Sequence, residues 1–374
     1  MSEYQYYEFK AIDNALNENQ KAELHQLSSR AEVSSHHASF VYHYGDFRGN
    51  VEQLMQSSFD AMVYLSNWGN KRLMFRLPCD LVDTCEWRDF FISEAIEKTL
   101  CSDKQNFILD FNFQDEDSDS WTEGEGWLDD LCELRNDIIG GDFRVLYLAW
   151  LKACQLLPYW DDGADKIYEP LVPAGLNDLN PALKQFILYV ELDEQLVNAA
   201  AQKSPNLTVK IRDTKSLIAQ LSPQEQQQFL VKLSNNEANL SAALNHRLNK
   251  LNQSEPAITS TKIAPRTYQE LTEIAEDLTL RAEKKQQEKI KKDRENELKS
   301  LLGQQEMMWR AVDDFIEQKN SSAYNKALKH LITLHELAAF EKKGTEFNQR
   351  ILKLKETYSR RRGLLERLNR IHLF

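Results

Sequence analysis

The front of the chain alternates strand-like and helix-like patterns of apolar residues. Apolar residues recur every three or four positions over residues 17–30 and 50–68, which predicts two amphipathic helices, the second of them capped by Asn50. Runs rich in aromatic and β-branched residues predict four strands, at residues 4–12, 39–44, 71–77 and 106–113. Four strands with interspersed helices predict an α+β domain over residues 1–160.

From residue 127 onward, the apolar residues recur with the period of helices alone. Residues 127–139 and 143–157 carry apolar residues at i, i+3 and i+4 spacing, with a Gly-Gly turn between the two segments. The pairs Asn180-Pro181 and Ser222-Pro223 each combine a helix cap with proline at the first helical position. We therefore predict an all-α region that begins with a helical domain over residues 161–253.

A stretch of Ser, Thr and Pro at residues 254–265 predicts a linker, after which residues 266–374 regain helical spacing. The first segment, residues 267–302, predicts one long charged helix of about 54 Å. Between residues 281 and 299 it has three apolar residues, too few for a coiled-coil seam. We predict that solvent surrounds this part and that a small C-terminal helical module follows it.

Charge is distributed unevenly along the chain, which has 46 basic and 58 acidic residues. Residues 262–374 contain 24 basic and 18 acidic residues, and the remaining front part contains 22 and 40. An acidic front repels phosphates and anionic membranes, whereas a basic rear can meet nucleic acid or an acidic protein surface. This uneven distribution of charge is equally compatible with a helix whose charged face is simply exposed to solvent.

Membrane insertion and export are not indicated by the sequence. Its first residues lack a basic segment followed by an apolar run, and it has no stretch of 18 uncharged apolar residues. The five cysteines are irregularly spaced and form no CxxC pair. We expect a cytoplasmic protein with reduced thiols and no membrane partner.

An acidic loop over residues 114–126 is the candidate for a metal site. Its spacing matches the first three ligand positions of a calcium loop, but serine replaces the turn glycine and glycine replaces the last, bidentate glutamate. A solvated loop that attracts a basic partner is the favoured interpretation. The metal-ligand candidates are Asp115, Asp117, Asp119 and Glu123.

Two segments carry candidate contacts to a protein partner. Trp121 and Trp127 flank the acidic loop, and aromatic residues dominate interface hot spots, although such residues more often belong to a core. At the C-terminus, leucines at helical spacing alternate with arginines, which predicts a short helix that needs a surface to pack on. Its candidate contact residues are Arg360, Arg361, Arg362, Leu364, Leu365, Leu368 and Ile371.

Several segments resemble a family of uncharacterised bacterial proteins. The segments are YQYYEFKAID, LSSRAEV, GDFRG, LSNWGNKRLMFRLP and DEDSDSWTEGEGWL. The similarity covers the front and extends more loosely into the charged helix and the C-terminal module. It implies a component of a bacterial multi-protein system, and it brings no established activity, cofactor or catalytic residue.

No sequence motif specifies a reaction or a cofactor, since GxSxG, GxGxxG and GxxxxGK[ST] are all missing. We therefore predict a non-enzymatic scaffold or adaptor subunit that binds a protein partner. A first alternative is a nucleic-acid-associated protein that uses residues 281–299 and 360–370. A second is a metal-dependent hydrolase or nuclease that uses the acidic loop.

Overall fold

The chain was analysed as a computed structural model, which describes residues 4–82, 84, 87–115, 123–157, 167–206, 214–235, 240–252 and 265–370. It divides into two units, Met1–Thr279 (unit 1) and Leu280–Phe374 (unit 2), each with a core of its own. The predicted boundary at residue 160, and the predicted linker up to residue 264, lie outside the described residues. Both stay predictions.

Within the described residues, unit 1 contains one sheet of seven strands. The strands are β1 (Gln5–Lys10), β2 (Glu32–Val33), β3 (His37–Tyr42), β4 (Ala61–Ser66), β5 (Asn70–Pro78), β6 (Ile96–Leu100) and β7 (Asn106–Gln114). Their order across the sheet is β2-β3-β1-β4-β5-β7-β6, and every neighbouring pair is antiparallel. The α+β class is thus confirmed for the front, followed by a mainly helical region.

The prediction of four strands is wrong, because β2, β4 and β6 were missed. Residues 50–68, predicted as one helix, form a short helix followed by β4. Ala61, Met62 and Val63 are all fully buried, so β4 lacks the alternation of a half-exposed strand. Its apolar run is therefore compatible with a helix as well as with a strand. In β6 only Ile96 is buried, and β2 has two residues, so neither gives an apolar signal.

Helices cover both faces of the sheet. The described helices of unit 1 are α1 (Glu18–Leu27), α2 (Val51–Ser57), α3 (Trp127–Leu131), α4 (Glu133–Ile139), α5 (Arg144–Gln155), α6 (Pro181–Val190), α7 (Glu194–Ala201), α8 (Thr214–Gln220), α9 (Pro223–Ser234) and α10 (Leu240–Asn252), together with a 3-10 turn at Arg88–Phe90. Helix α11 (Tyr268–Ser300) begins in unit 1 and continues into unit 2. The predicted caps Asn50, Asn180 and Ser222 open α2, α6 and α9.

Alternating side chains of each strand enter two different cores. On β1, Tyr6 belongs to the larger core, which α3 to α7 and the start of α11 complete, whereas Tyr7 and Phe9 belong to the smaller core under α1 and α2. Every residue of β1 except Lys10 is therefore buried. This two-sided burial makes the sheet the centre of unit 1.

A network of buried charges joins one end of the sheet to α4. The Asp60 carboxylate accepts hydrogen bonds from the N–H groups of Ile12 and Asp13 at 2.7 and 2.8 Å, and from Arg76 Nη2 at 2.6 Å. Arg135, on α4, donates to both carboxylate oxygens of Asp13 and to the carbonyl oxygen of Arg76. Because each of these buried charges has a partner, the network is compatible with an apolar surrounding.

A second buried ion pair fixes the residues before α11 in unit 1. Arg266 donates to both carboxylate oxygens of Glu169 at 2.7 Å and to the carbonyl oxygen of Ala199 at 3.0 Å. The Tyr147 hydroxyl donates to the same carboxylate at 2.5 Å. The side chains of Arg266 and Glu169 are 6% and 2% exposed, so removal of either would leave a buried charge unpaired.

Unit 2 contains the second part of α11 and four further described helices. They are α12 (Gln305–Glu317), α13 (Ser321–Phe340), α14 (Gly344–Thr357) and α15 (Arg362–Arg370), and each contributes side chains to one core. Residues 281–293 of α11 are exposed on all sides. None of the described helices has the length and apolar composition needed to cross a membrane.

Candidate functional site

The part of the acidic loop that the structure describes is tied to unit 1. Asp115 accepts a hydrogen bond from the buried Lys152 ammonium at 2.8 Å, and Lys152 also donates to the carbonyl oxygen of Glu191. The Glu191 carboxylate pairs with Lys71 at 2.6 Å, and burial lowers the pKa of Lys71. Asp115 is thus one member of a network of structural ion pairs.

Of the other metal-ligand candidates, the structure describes Glu123 alone. Glu123 is exposed, and its backbone carbonyl oxygen accepts a hydrogen bond from Trp127 Nε1 at 3.0 Å. Asp117 and Asp119 lie outside the described residues. Across the described part of the chain, no three His, Cys, Asp or Glu side chains form a group arranged to hold a metal. The cation hypothesis stays a prediction.

Of the two tryptophans that flank the loop, Trp127 is described and Trp121 is not. Trp127 is partly buried against the larger core of unit 1, with its ring centroid 5.4 Å from that of Tyr189. The Tyr189 hydroxyl in turn donates to the carbonyl oxygens of Tyr64 and Arg72 in neighbouring strands. Trp127 therefore has a packing role within its own unit.

The leucines of the C-terminal segment also pack within their own unit. Leu364 and Leu368 on α15 are fully buried in the core of unit 2, and Leu365 is partly buried against it. Ile371 lies outside the described residues. This burial accounts for the predicted apolar stripe without a partner, because the surface that a short helix needs is supplied by the module itself.

The arginines beside these leucines differ in their surroundings. The Arg361 guanidinium lies over the Tyr358 ring at 5.0 Å and pairs with Glu317 at 3.0 Å. Arg360 and Arg362 are exposed, and neither has a partner among the described residues. The segment therefore presents fewer available cations than its sequence implies.

The cysteines of the described residues are poor nucleophiles. Burial raises the pKa of Cys101 to about 11 and that of Cys132 to about 12, and it also raises the pKa of Cys79 and Cys154. Since the thiolate is the reactive form, the raised pKa makes each of these thiols less nucleophilic near neutral pH than an ordinary cysteine. Cys85 lies outside the described residues.

A cluster of exposed aliphatic side chains lies on α9. Leu230, Val231 and Leu233 are 66%, 51% and 61% exposed, although they belong to a well-formed helix. Leu230 and Val231 follow Gln227 by three and four positions, and Leu233 follows Leu230 by three, so each of these pairs is adjacent on the helix surface, whereas Val231 and Leu233 are not neighbours. We call Gln227, Leu230, Val231 and Leu233 the α9 patch.

The helix that carries this patch is capped and tied to its neighbours. Ser222 Oγ accepts from the N–H of Glu225, and the Glu225 carboxylate accepts from the N–H of Ser222, a reciprocal capping box with Pro223 at the first helical position. The Ser222 N–H and Arg247 on α10 lower the pKa of Glu225 to about 2. Helix α10 is itself linked to α4, because His246 Nδ1 lies 3.2 Å from the carbonyl oxygen of Ile139.

The inner side of α9 is marked by Phe229, and Leu230 and Val231 point away from it, whereas Leu233 follows Phe229 by four positions and lies in the last turn of the helix, where it is 61% exposed. Phe229 packs against the small core formed by Leu217, Leu221 and Leu248, so the face around Phe229 is turned toward α8 and α10. The capping box was visible in the sequence, but the orientation of the helix was not. A usable sequence signal is the run FLVKL, which has more aliphatic residues than one inward face can bury.

The sequence was also compared with models of protein families, with curated proteins and with solved structures, and nothing matched in any of the three comparisons. The candidate surfaces are therefore described by their geometry. The likeness to uncharacterised bacterial proteins stays a resemblance carried by the segments quoted above.

Proposed function

We propose that the chain is a non-enzymatic scaffold or adaptor subunit of a bacterial multi-protein system and that it binds a protein partner through the α9 patch. The observation that carries this proposal is the exposure of three aliphatic side chains within four residues of one capped helix, of which Leu230 and Leu233 are adjacent on its surface. Contiguous exposed apolar surface marks interaction sites more often than scattered single residues do.

The chemical composition around the patch fits the centre of a protein interface. Gln224, Gln227 and Gln228 are exposed and uncharged, and within α9 the charged residues are Glu225 and Lys232 alone. The cores of interfaces are depleted of charged residues. Complete burial of a leucine or valine side chain contributes about 1.5–3 kcal/mol, so a partner that covers the patch gains a substantial part of a binding free energy.

The use of the buried charges in unit 1 supports a structural interpretation over a catalytic one. Lys152, Arg135 and Arg266 are nearly inaccessible, and each is saturated by a carboxylate and by backbone carbonyl oxygens. Groups held in this way fix elements of the fold relative to one another. Pairs of this kind position a surface for a partner without any chemistry of their own.

The proposal is tested by the double substitution Leu230→Glu and Leu233→Glu in the tagged full-length protein, purified from its native host. We expect the co-purifying proteins to fall at least about tenfold, because two carboxylates would have to be desolvated in the interface. The melting temperature should stay close to that of the unmodified protein, since exposed positions usually change stability by about 0.5 kcal/mol or less.

A matched control is Leu352→Glu, which places the same charge on a leucine that is 58% exposed on α14 in unit 2. This variant should retain the co-purifying proteins. Equal recovery of every partner by the patch variant and the control would contradict the assignment of the α9 patch.

A second candidate function is nucleic-acid binding by α11, and its support is the complete exposure of residues 281–293. Lys285, Lys292 and Lys299 recur every seven residues and therefore share one helix face. Glu288 and Glu295 lie on the same face and reduce its positive charge.

If this face binds phosphates, the affinity for a DNA duplex should fall steeply between low and moderate salt, with a slope of about one per phosphate contact. The variant Lys285→Glu with Lys292→Glu should then lower both affinity and slope. Measurement by fluorescence anisotropy that finds no binding at low salt would remove this candidate.

A further inference from the structure

Strand β6 forms one edge of the sheet and is paired on its inner side by β7. The N–H of Cys101 donates to the carbonyl oxygen of Asn106, and the N–H of Asn112 donates to that of Ala95, both at 2.9 Å. Odd-numbered residues of this strand therefore direct their backbone groups toward β7, and even-numbered residues direct theirs away from it. The outward-directed residues are Ile96, Lys98 and Leu100, whose N–H and C=O groups have no partner among the described residues.

The two edges of the sheet differ in what they offer. The opposite edge, β2, has two residues and is too short to template a strand. β6 has five residues, four of them exposed, and Leu100 at its end is 57% exposed. Among the described strands, β6 is therefore the edge that can accept another strand.

A cleft of about 530 Å³ runs beside this edge. One wall is β6 itself, and the other is formed by Thr84, Arg88 and Phe91, from the segment that contains the 3-10 turn. The cleft therefore combines backbone groups that have no partner among the described residues with a partly buried aromatic ring, and sheet edges bind extended peptides through such main-chain groups.

The described charged residues that line this cleft are Arg88, Lys98 and Glu97, so its net charge is positive and favours an acidic occupant. The Lys98 ammonium donates to the Thr84 hydroxyl at 2.8 Å and lies 5.6 Å from the centre of the Phe107 ring, but it has no carboxylate partner among the described residues. Arg88 is exposed, and the described residues supply it with no ion-pair partner either. A carboxylate opposite Lys98 in an added strand would form a favourable cross-strand pair.

We infer that β6 and its cleft bind an extended acidic peptide segment of a partner protein, which adds to the sheet as a further strand. The backbone groups of the three outward-directed residues would supply the main-chain hydrogen bonds, and Arg88 and Lys98 would select the acidic side chains. This site is separate from the α9 patch and does not depend on it.

A second copy of this chain is a less suitable occupant of the same edge. In the centred antiparallel register, Lys98 would lie opposite Lys98 of the second copy. A shift of the pairing by two residues in one direction would place Glu97 opposite Glu97, and a shift in the other direction would place Thr99 opposite Thr99 without a like-charge pair. Like charges directly opposite each other are destabilising. An acidic hetero-partner avoids both conflicts.

The test uses the full chain and two labelled peptides, one of alternating valine and aspartate and one of alternating valine and lysine. Fluorescence anisotropy should show at least about tenfold tighter binding of the aspartate peptide. The substitution Lys98→Pro removes an outward N–H but no bond to β7, and prolines are tolerated on edge strands, so it should weaken binding of the aspartate peptide by about tenfold or more. Lys289→Glu, which reverses the charge of an exposed lysine on α11 that does not line the cleft, is the control and should bind as the native chain does.

A second variant, without any proline substitution, tests the inference even if the proline variant misfolds. Arg88→Glu combined with Lys98→Glu changes exposed side chains alone and should reverse the preference toward the lysine peptide. The inference is overturned if neither peptide binds the native chain, if a folded Lys98→Pro variant binds the aspartate peptide undiminished, or if sedimentation shows that a second copy occupies the edge.

Discussion

Replacing Arg266 by alanine will lower the free energy of unfolding of unit 1 by about 3–5 kcal/mol, which is the usual cost of breaking a buried ion pair from one side. The Glu169 carboxylate, whose side chain is 2% exposed, would retain the Tyr147 hydroxyl but lose both guanidinium hydrogen bonds. The carbonyl oxygen of Ala199 would lose its guanidinium donor as well. Urea denaturation of the full chain measures the loss, and hydrogen exchange locates it in unit 1.

Two variants show whether the loss comes from the unpaired charge. The double variant Arg266→Met with Glu169→Gln removes both charges and should be more stable than Arg266→Ala, since neutral replacements of a buried pair avoid the uncompensated carboxylate. Arg362→Ala removes an exposed arginine and should change stability by about 0.5 kcal/mol or less. Arg266→Ala and Arg362→Ala of equal stability would contradict the structural role of Arg266.

Replacing Asp60 by alanine will destabilise unit 1 by a similar amount, about 3–5 kcal/mol. The carboxylate accepts from two backbone N–H groups and from Arg76, and it lies 4.0 Å from the Arg135 guanidinium. Its loss leaves the N–H groups of Ile12 and Asp13 and the Nε and Nη2 groups of Arg76 without this acceptor, and each unsatisfied buried group costs about 1–3 kcal/mol. If urea denaturation shows that the free energy of unfolding falls by less than about 1 kcal/mol, the remaining groups of the network have found other partners in the absence of Asp60.

The same carboxylate makes stability depend on pH in a definite direction. Burial by itself would raise the pKa of Asp60, but Arg76, Arg135 and the N–H of Asp13 outweigh burial and lower that pKa. A lowered folded-state pKa adds stability that is complete above the unfolded value, about 3.9, and that is lost as pH falls through this value toward the folded-state pKa. The variant Asp60→Asn lacks this contribution, so its stability should fall less than that of the native chain between pH 6 and pH 3 in parallel denaturation experiments. If the native chain and the variant lost equal stability, groups other than Asp60 would cause the acid sensitivity.

The sequence predicts those elements whose pattern has one interpretation. β1, β3, β5 and β7 have aromatic and β-branched runs bounded by polar residues, and α9 has a capping box followed by proline. β4 was predicted as helix because Ala61, Met62 and Val63 are buried on both faces, so its pattern carries no period of two. β6 was missed for the opposite reason, because an edge strand exposes polar residues on both faces.

Functional surfaces were harder to predict than strands, because they depend on which face each neighbour covers. Leu364 and Leu368 form an apolar stripe, but the sequence does not show that this stripe is buried in the core of unit 2. Leu230 and Leu233 have the same residue type and similar spacing, yet they stay 66% and 61% exposed, because the described core beneath α9 takes only Phe229 from this helix. The buried partner of Arg266 is 97 residues away in sequence, a distance over which local patterns carry no information.

The central claim, that the α9 patch is a protein-binding surface, is tested most directly by photo-crosslinking in the native host. A photoreactive phenylalanine derivative is placed at Val231 in one variant and at Leu352 in another, two exposed aliphatic positions in different units. We predict a defined heavier adduct from position 231 that contains a second protein, and none from position 352. The account would be contradicted if position 231 gave no adduct, or if both positions gave the same adducts in equal yield.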